Sequence, residues 1–417
     1  MTGYLMAPAG YTGELAVAVG PRLLTGILAG PSLVNHRRSW PMPDGVDAAD
    51  LVRLTDRVRL LGRGGAGFPF NRKLATALGA GRRRTVVVNA AEGEPGSAKD
   101  SALLVTAPHL VLDGAEIVAN ALECPVVRIV VPAERPAVEE ALRAAVDERP
   151  GKPVSFEVLT TGGSFVSGQA RAVIELAEGR PNLPVTSWAP EAVSGIRGRP
   201  TLLSNAETYA QIAVAVTLGT EEHSRLGLPE EPGTTLLTIA GDGPGGVVLE
   251  VPFGVELERV LAYCGYATGG PVLVGGYHGA WLPAEEVARR RVSRADLLDA
   301  GASLGAGVLL PLDPASCPVT VTAGIVEYLA GHSAKRCGPC RNGLPALAES
   351  LGMLSRGASR STSTRIKELS AVVTGRGACA HPDGTVRLVR SLFRSFPGEI
   401  AAHESGRCTV SSQLVAM

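Results

Sequence analysis

The sequence predicts a mixed α/β chain: a layered α/β domain, a small α+β module, and an all-helical C-terminal region. Three observations predict it. Strand-like runs alternate with helical patterns to about residue 232. A strand–turn–strand–helix–strand succession follows within roughly 50 residues. From 319 onward only helical periodicity remains. The domain boundaries drawn are an N-terminal arm over 1–45, the α/β domain over 46–232, the α+β module over 233–318 and the helical domain over 319–417.

Residues 1–45 are punctuated by Gly and Pro and read as an extended arm with a short helix near Gly30-Pro31-Ser32-Leu33. Asp47 then caps a helix whose apolar positions Leu51, Leu54, Val58 and Leu61 recur at helical spacing. A glycine cluster stops it. Thr85-Val86-Val87-Val88 is a β-branched strand of the kind buried on both faces. Residues 110–122 and 136–146 read as helices, with a strand at Val126–Val131 between them. In the small module, strands at 235–239, 247–251 and 272–274 flank a helix at Leu257–Cys264. Helical patterns cover 320–330, 341–355, 364–373 and 386–404, and Ser355–Thr364 is the flexible-loop candidate.

Composition narrows the function classes. The 417 residues carry 40 basic and 40 acidic side chains, a formal net charge of zero, which argues against a dedicated nucleic-acid binder. At 45% hydrophobic the chain is globular. No run of ~18 apolar residues exists, so no membrane span is expected. The seven cysteines, an odd number with no secretory leader ahead of them, suit a reducing, cytoplasmic setting, where clustered cysteines more often bind metal than pair.

Two loops carry chemistry. Gly62-Arg63-Gly64-Gly65-Ala66-Gly67-Phe68-Pro69 contains G-x-G-x-x-G, which lets backbone N–H groups approach a phosphate. Alone it reads equally as a tight turn, and a helix rather than a strand precedes it. Lys73 follows within reach of a phosphate or a flavin heteroatom. The second loop, Asn89-Ala90-Ala91-Glu92-Gly93-Glu94-Pro95-Gly96-Ser97-Ala98-Lys99-Asp100, sets carboxylates beside glycines at a strand end. They can accept hydrogen bonds from ribityl or ribose hydroxyls; alone, the segment reads as a polar strand-to-helix loop.

Together these loops resemble the flavin- and NADH-binding subunit of respiratory complex I and its relatives in NAD-linked hydrogenases and formate dehydrogenases. The family pattern R-G-R-G-G-A-G-F-P is intact from Gly62 to Pro69, and N-A-D-E-x-E-P-G-x-x-K-D is matched from Asn89 to Asp100. Pro200–Thr208 matches the family's P-T-x-x-N-N-V-E-T. The resemblance implies a Rossmann-like FMN- and NADH-binding domain, a ubiquitin-like, ligand-binding β-grasp module (SLBB) and a helical bundle carrying iron–sulfur cysteines. It implies FMN held by Gly62, Arg63, Gly64, Gly65, Gly67, Lys73, Asn89, Glu92, Gly168, Ser204 and Asn205. NADH would stack near Phe68 and meet Glu94. Electrons would pass through a cluster to a thioredoxin-like [2Fe–2S] subunit or a ferredoxin.

Four departures from the family pattern stand out. Ala91 replaces an Asp. Thr76 replaces an aromatic that helps stack adenine. The family's G-E-E-T-A-L reads Gly168-Gln169-Ala170-Arg171-Ala172-Val173, so both carboxylates are gone. The cluster motif reads His332-Ser333-Ala334-Lys335-Arg336-Cys337-Gly338-Pro339-Cys340-Arg341, with Cys379 at the distant ligand position. Three thiolates remain where a cubane takes four, and Ala334 stands at the missing one. The open outcomes are a [4Fe–4S] cubane with a labile iron, a [3Fe–4S] cluster, zinc, an empty site, or a substitute ligand from His332, Ser333, His381 or Cys317. Cys124 and Cys264 read as core residues, Cys408 as a bystander, and His109 as a helix-start packing residue.

The function expected is an electron-transfer flavoprotein subunit. The alternatives are a degenerate paralogue serving as a scaffold without NADH oxidation, and a ligand- or partner-binding protein using the hairpin loop Gly241–Gly246.

Overall fold

A computed structural model describes residues 4–8, 14–41, 45–81, 83–149, 151, 153–241 and 246–410, with side chains of 4–8 and Glu14 excepted. The Gly241–Gly246 loop therefore lies largely outside the described residues. The chain divides into two compact units, Met1–Gly163 with Ser167–Val255, and Ser164–Val166 with Glu256–Met417. The division at 255/256 falls inside the segment 233–318.

In the first unit, strands β1 (Tyr4–Pro8) and β2 (Glu14–Ala18) form an antiparallel hairpin. The N-terminal residues are thus not a free arm: β2 pairs with a strand more than 200 residues away. A parallel sheet is built from β3 (Thr85–Asn89), β4 (Val126–Pro132), β5 (Ser155–Thr161) and β6 (Thr201–Asn205), in the order β5-β4-β3-β6. The β-branched run of β3 is buried along Thr85–Val88, as expected of a central parallel strand covered on both faces. Strands β7 (Thr234–Ile239) and β8 (Val247–Pro252) pair antiparallel, and β8 pairs with β2 in parallel.

Helices cover the parallel sheet. Asp47 caps the helix Ala48–Arg57 by accepting from the Asp50 N–H at 2.7 Å. The helices Pro108–Ala121 and Ala206–His223 pack closely because Gly114 lies against the Tyr209 backbone: a Cβ there would sit 1.8 Å from the Tyr209 carbonyl oxygen. Tyr209 is fully buried, and its hydroxyl sits 3.1 Å from the Val87 carbonyl and 3.0 Å from that of Leu202. This pins the second helix to β3 and β6. It is interrupted at Gly219, whose φ is 73°.

In the second unit, β9 (Val272–Val274), β10 (Ala280–Leu282) and β11 (Val308–Pro311) are antiparallel with β9 central. Helices follow at Pro318–Gly331, Leu344–Ser355, Arg360–Val373, His381–Ser395 and Pro397–Glu404. The expected Ser355–Thr364 loop is shorter than read, because a helix already begins at Arg360. Leu329, Leu344, Leu347, Leu351, Ile366, Leu388 and Leu392 fill the bundle core. Trp281 donates its indole N–H to Thr322 at 2.9 Å, joining the strands to the bundle. Among the described residues no single helix is long and apolar enough to cross a membrane.

Candidate functional site

The parallel sheet fixes where a ligand can sit. The chain runs β3, β4, β5 outward, then returns to place β6 on the other side of β3. The order reverses between β3 and β6, and crevices at the carboxyl ends of such strands are where open α/β sheets bind ligands. Asn89 ends β3, Asn205 ends β6, and the two are register partners. The Asn205 amide donates to the Asn89 carbonyl at 3.2 Å, and Asn89 Nδ2 donates to the Gly168 carbonyl at 2.8 Å.

The glycine loop closes onto this point. The Gly62 N–H donates to the Phe68 carbonyl and the Phe70 N–H to the Leu60 carbonyl, both at 2.9 Å, so the loop is a pinched turn. Gly65 at φ 103° and Gly67 at φ 63° occupy backbone that side chains strain. A Cβ at Gly64 would lie 3.4 Å from the Asn205 Cβ, and one at Gly168 would lie 3.3 Å from the Ala91 Cβ. A side chain at Gly168 would crowd Ala91, whereas one at Gly64 would make only ordinary contact with Asn205. Phe68, half exposed, stands at the rim. Ser204 is buried on β6, one residue before Asn205. The Arg63 N–H donates to Thr208 Oγ1 at 2.9 Å, and its guanidinium lies over the Phe253 ring.

The acidic loop is organised by Glu92. One carboxylate oxygen accepts from Ser97 Oγ at 2.8 Å and the Asp100 N–H at 2.9 Å. The other accepts from the Ser101 N–H at 2.9 Å and from Arg135 at 2.7 Å. Burial opposes this charge, but Arg135 and these donors hold its pKa below the ordinary carboxylate value. Sequence reading put Glu92 among the flavin contacts; here both oxygens serve the loop itself. Lys99 and Asp100 are buried beside it. Burial pushes Asp100 up to about 6, Lys99 pulling the other way. Burial also opposes the Lys99 ammonium, yet Asp100 and Glu207 hold its pKa above the lysine value. Glu94 is buried.

Lys73 donates to Glu191 at 3.1 Å and to the Leu203 carbonyl at 2.9 Å. Arg171 donates to the carbonyls of Ser194, at 2.9 Å, and Ala189. Neither the Lys73–Glu191 nor the Glu92–Arg135 pair was visible in the sequence, because each joins residues 43 or more positions apart.

In the second unit the Cys337 and Cys340 thiols interact directly, and Cys379 lies within electrostatic reach of Cys340. The π-helix Pro339–Gly343 carries Cys340, which is buried; Cys337 precedes it and is half-buried. Cys379 sits on the loop before the helix His381–Ser395, where the Gly375 N–H donates to Asp383 at 2.7 Å. Burial, the Cys337 thiol and the charge of Cys379 push Cys340 up to about 12. Burial opposes the Cys337 thiolate, but the backbone N–H groups of Ala378 and Cys340 bring its pKa below the ordinary thiol value. Cys337 and Cys340 thus interact directly, with Cys379 within electrostatic reach and backbone N–H donors at Cys337. Lys335, at φ 53°, and Arg336 are exposed beside them.

Of the four substitute ligands considered, Ser333 lies against the Cys340 thiol. His332 stacks on Tyr328 with centroids 4.0 Å apart. His381 is buried, with Nε2 2.9 Å from the Leu329 carbonyl and Nδ1 3.1 Å from His278 Nε2. Cys317 belongs elsewhere, with Glu399, His403 and Cys408. Cys408 is therefore not the bystander it was read to be. His109 is fully buried near Glu148 at 3.3 Å, a packing position.

Two regions of the chain match known family models. The family model for the Nuo51 FMN-binding domain matches residues 55–214, and that for the NADH-ubiquinone oxidoreductase-F iron-sulfur binding region matches 320–403. The chain belongs to the family of the flavin-bearing F component of complex I and its hydrogenase counterparts, as a distant member. It is 29% identical to the NADP-reducing hydrogenase subunit HndC of Solidesulfovibrio fructosivorans, over 85% of this chain and 76% of that protein. It is 26% identical to the F 2 component of the NADH-quinone oxidoreductase of Rhizobium meliloti, over 86% and 90% respectively. A crystal structure of an NAD+-reducing [NiFe]-hydrogenase in the H2-reduced state superimposes with a TM-score of 0.80 at 27% identity, covering 92% of this chain and 67% of that one.

Proposed function

We propose that the chain is a redox subunit that binds FMN at the β3/β6 crevice and an iron–sulfur cluster at Cys337, Cys340 and Cys379. The observation that carries this reading is the meeting of the Gly62–Gly67 loop, Gly168, Asn89 and Asn205 at the reversal point of the sheet. Bound FMN would supply the exchange between two-electron and one-electron chemistry; the chain supplies placement and electrostatics. Gly62, Gly64, Gly65 and Gly67 offer backbone to the flavin and its phosphate, with Arg63, Lys73, Ser204 and Asn205 beside them. Glu92 fixes the acidic loop, and Glu94 with Phe68 faces the donor. Segment 233–318 is read as the β-grasp module on resemblance. The electron acceptor is a thioredoxin-like [2Fe–2S] subunit or a ferredoxin, in the cytoplasm.

NADH is a poor donor in this reading. Gln169 and Ala170 stand where the family carries carboxylates, and Arg171 is directed to the carbonyls of Ser194 and Ala189. Flavin-loaded protein mixed anaerobically with NADH is expected to bleach slowly or not at all. Rapid reduction contradicts this. The occupation of Lys73 by Glu191 favours a second reading, a scaffold protein without turnover; folded protein that takes up neither flavin nor iron would support it.

A further inference from the structure

Four ligand-type side chains outside both cofactor sites meet in the second unit. Cys317 is the residue before the helix Pro318–Gly331. Glu399 and His403 share one face of the helix Pro397–Glu404, four residues apart. Gly406, at φ 69°, ends that helix, and the Arg407 N–H returns to the Ala402 carbonyl at 2.9 Å, folding Cys408 back over it. One ligand atom from each of the four lies within 4.8 Å of the others. Glu399 and Cys317 are nearly buried and His403 fully so.

His403 Nδ1 is 3.0 Å from the Leu354 carbonyl, which can only accept, so Nδ1 carries a ring proton. Nε2 faces Glu399 Oε1 at 3.1 Å and Cys317 Sγ at 3.3 Å. Cys317 Sγ also lies 3.6 Å from the same Glu399 oxygen. A central cation would take all three atoms together as ligands. For tetrahedral zinc with ordinary bond lengths, ligand–ligand edges come to about 3.6 Å for S···N, 3.4 Å for N···O and 3.6 Å for S···O. The observed 3.3, 3.1 and 3.6 Å are close to these edges.

We propose that Cys317, Glu399, His403 and Cys408 hold a structural zinc ion, separate from the Cys337–Cys340–Cys379 triad. Two thiolates, an imidazole and a carboxylate suit a cation of borderline softness, and four protein ligands close the site to substrate. The surrounding groups are those that orient such ligands. The Leu354 carbonyl accepts from the histidine Nδ1–H, the Thr409 hydroxyl donates to the other carboxylate oxygen, Oε2, and the Thr409 N–H straddles both, 3.2 Å from Oε1 and 3.3 Å from Oε2. The ion would tie the start of the helical region to its last helix.

The test uses the full chain, purified without chelator from zinc-supplemented medium, with zinc and iron counted by mass spectrometry. One zinc per chain is expected. It should be retained in Cys340→Ser and lost in Cys408→Ser and His403→Gln. Thr409→Val should weaken zinc binding by about tenfold. Absence of zinc, or zinc that departs with Cys340→Ser, overturns the proposal. Should the ligand variants fail to fold, cobalt(II) added to chelator-treated wild-type protein decides. Tetrahedral ligand-field bands with thiolate charge transfer support the site; an octahedral spectrum refutes it.

Discussion

Glu92→Gln separates a residue that organises a loop from one that touches the cofactor. Glu92 is buried, and its two oxygens accept from Ser97, Asp100, Ser101 and Arg135. Every partner is a donor. A glutamine amide must turn its NH2 toward one pair of them, which loses those bonds and removes the counter-charge that Glu92 gives the buried Arg135 guanidinium. Removing one partner of a buried ion pair costs about 3–5 kcal/mol. For a unit of this size that is a fall in Tm of roughly 6–20 °C. The assay is thermal unfolding of flavin-free protein, followed by circular dichroism, with and without added FMN. The substitution should lower the Tm of the flavin-free chain by that amount. A variant with wild-type Tm that has lost only its affinity for FMN would show instead that Glu92 acts on the cofactor directly.

Three further outcomes are expected. Lys73→Met should weaken FMN retention by about 10–100-fold through loss of a charged hydrogen bond; Glu191→Gln, which frees the ammonium, should leave retention equal or improved, both read by fluorescence after dialysis. His223 is buried, and burial with Arg22 and Arg63 nearby lowers its pKa from 6.5 to about 4. Its neutral form is thus favoured in the fold. The stability it contributes is full above pH 6.5 and is lost as pH falls toward 4, about 3 kcal/mol in all; urea midpoints across that range should decline, and His223→Gln should flatten the slope. Ala334→Cys, after anaerobic reconstitution, should raise bound iron to a full cubane, whereas Cys340→Ser should abolish it; equal iron in wild type and Ala334→Cys would mean that another ligand already fills the fourth place.

Local patterns were legible in the sequence because they are set by neighbours in the chain. The Asp47 cap, the β-branched strand at Thr85–Val88, the glycine loop and the Cys337/Cys340 pair all lie within a few residues of their own causes. What the sequence hid is non-local. Leu15-Ala16-Val17-Ala18-Val19 is too short a run to stand as a strand by itself; β8 offers it an edge to pair with. Arg135 looks like a surface arginine until the fold brings it to Glu92. The Glu399–His403 spacing is visible on one helix face. Cys317, however, stands 86 residues before His403, and only packing of the bundle joins them. The fourth ligand position was legible as a loss at Ala334, but choosing among His332, Ser333, His381 and Cys317 required their surroundings.

We propose that this distant relative of the F component of complex I keeps its redox cofactors, and the flavin and iron content of the full chain, purified anaerobically after reconstitution with FMN, iron and sulfide, tests this most directly. One FMN per chain, a flavin absorption envelope over a broad sulfur-to-iron band, and iron that disappears in Cys340→Ser are expected. Well-folded protein that holds neither flavin nor iron would contradict the proposal.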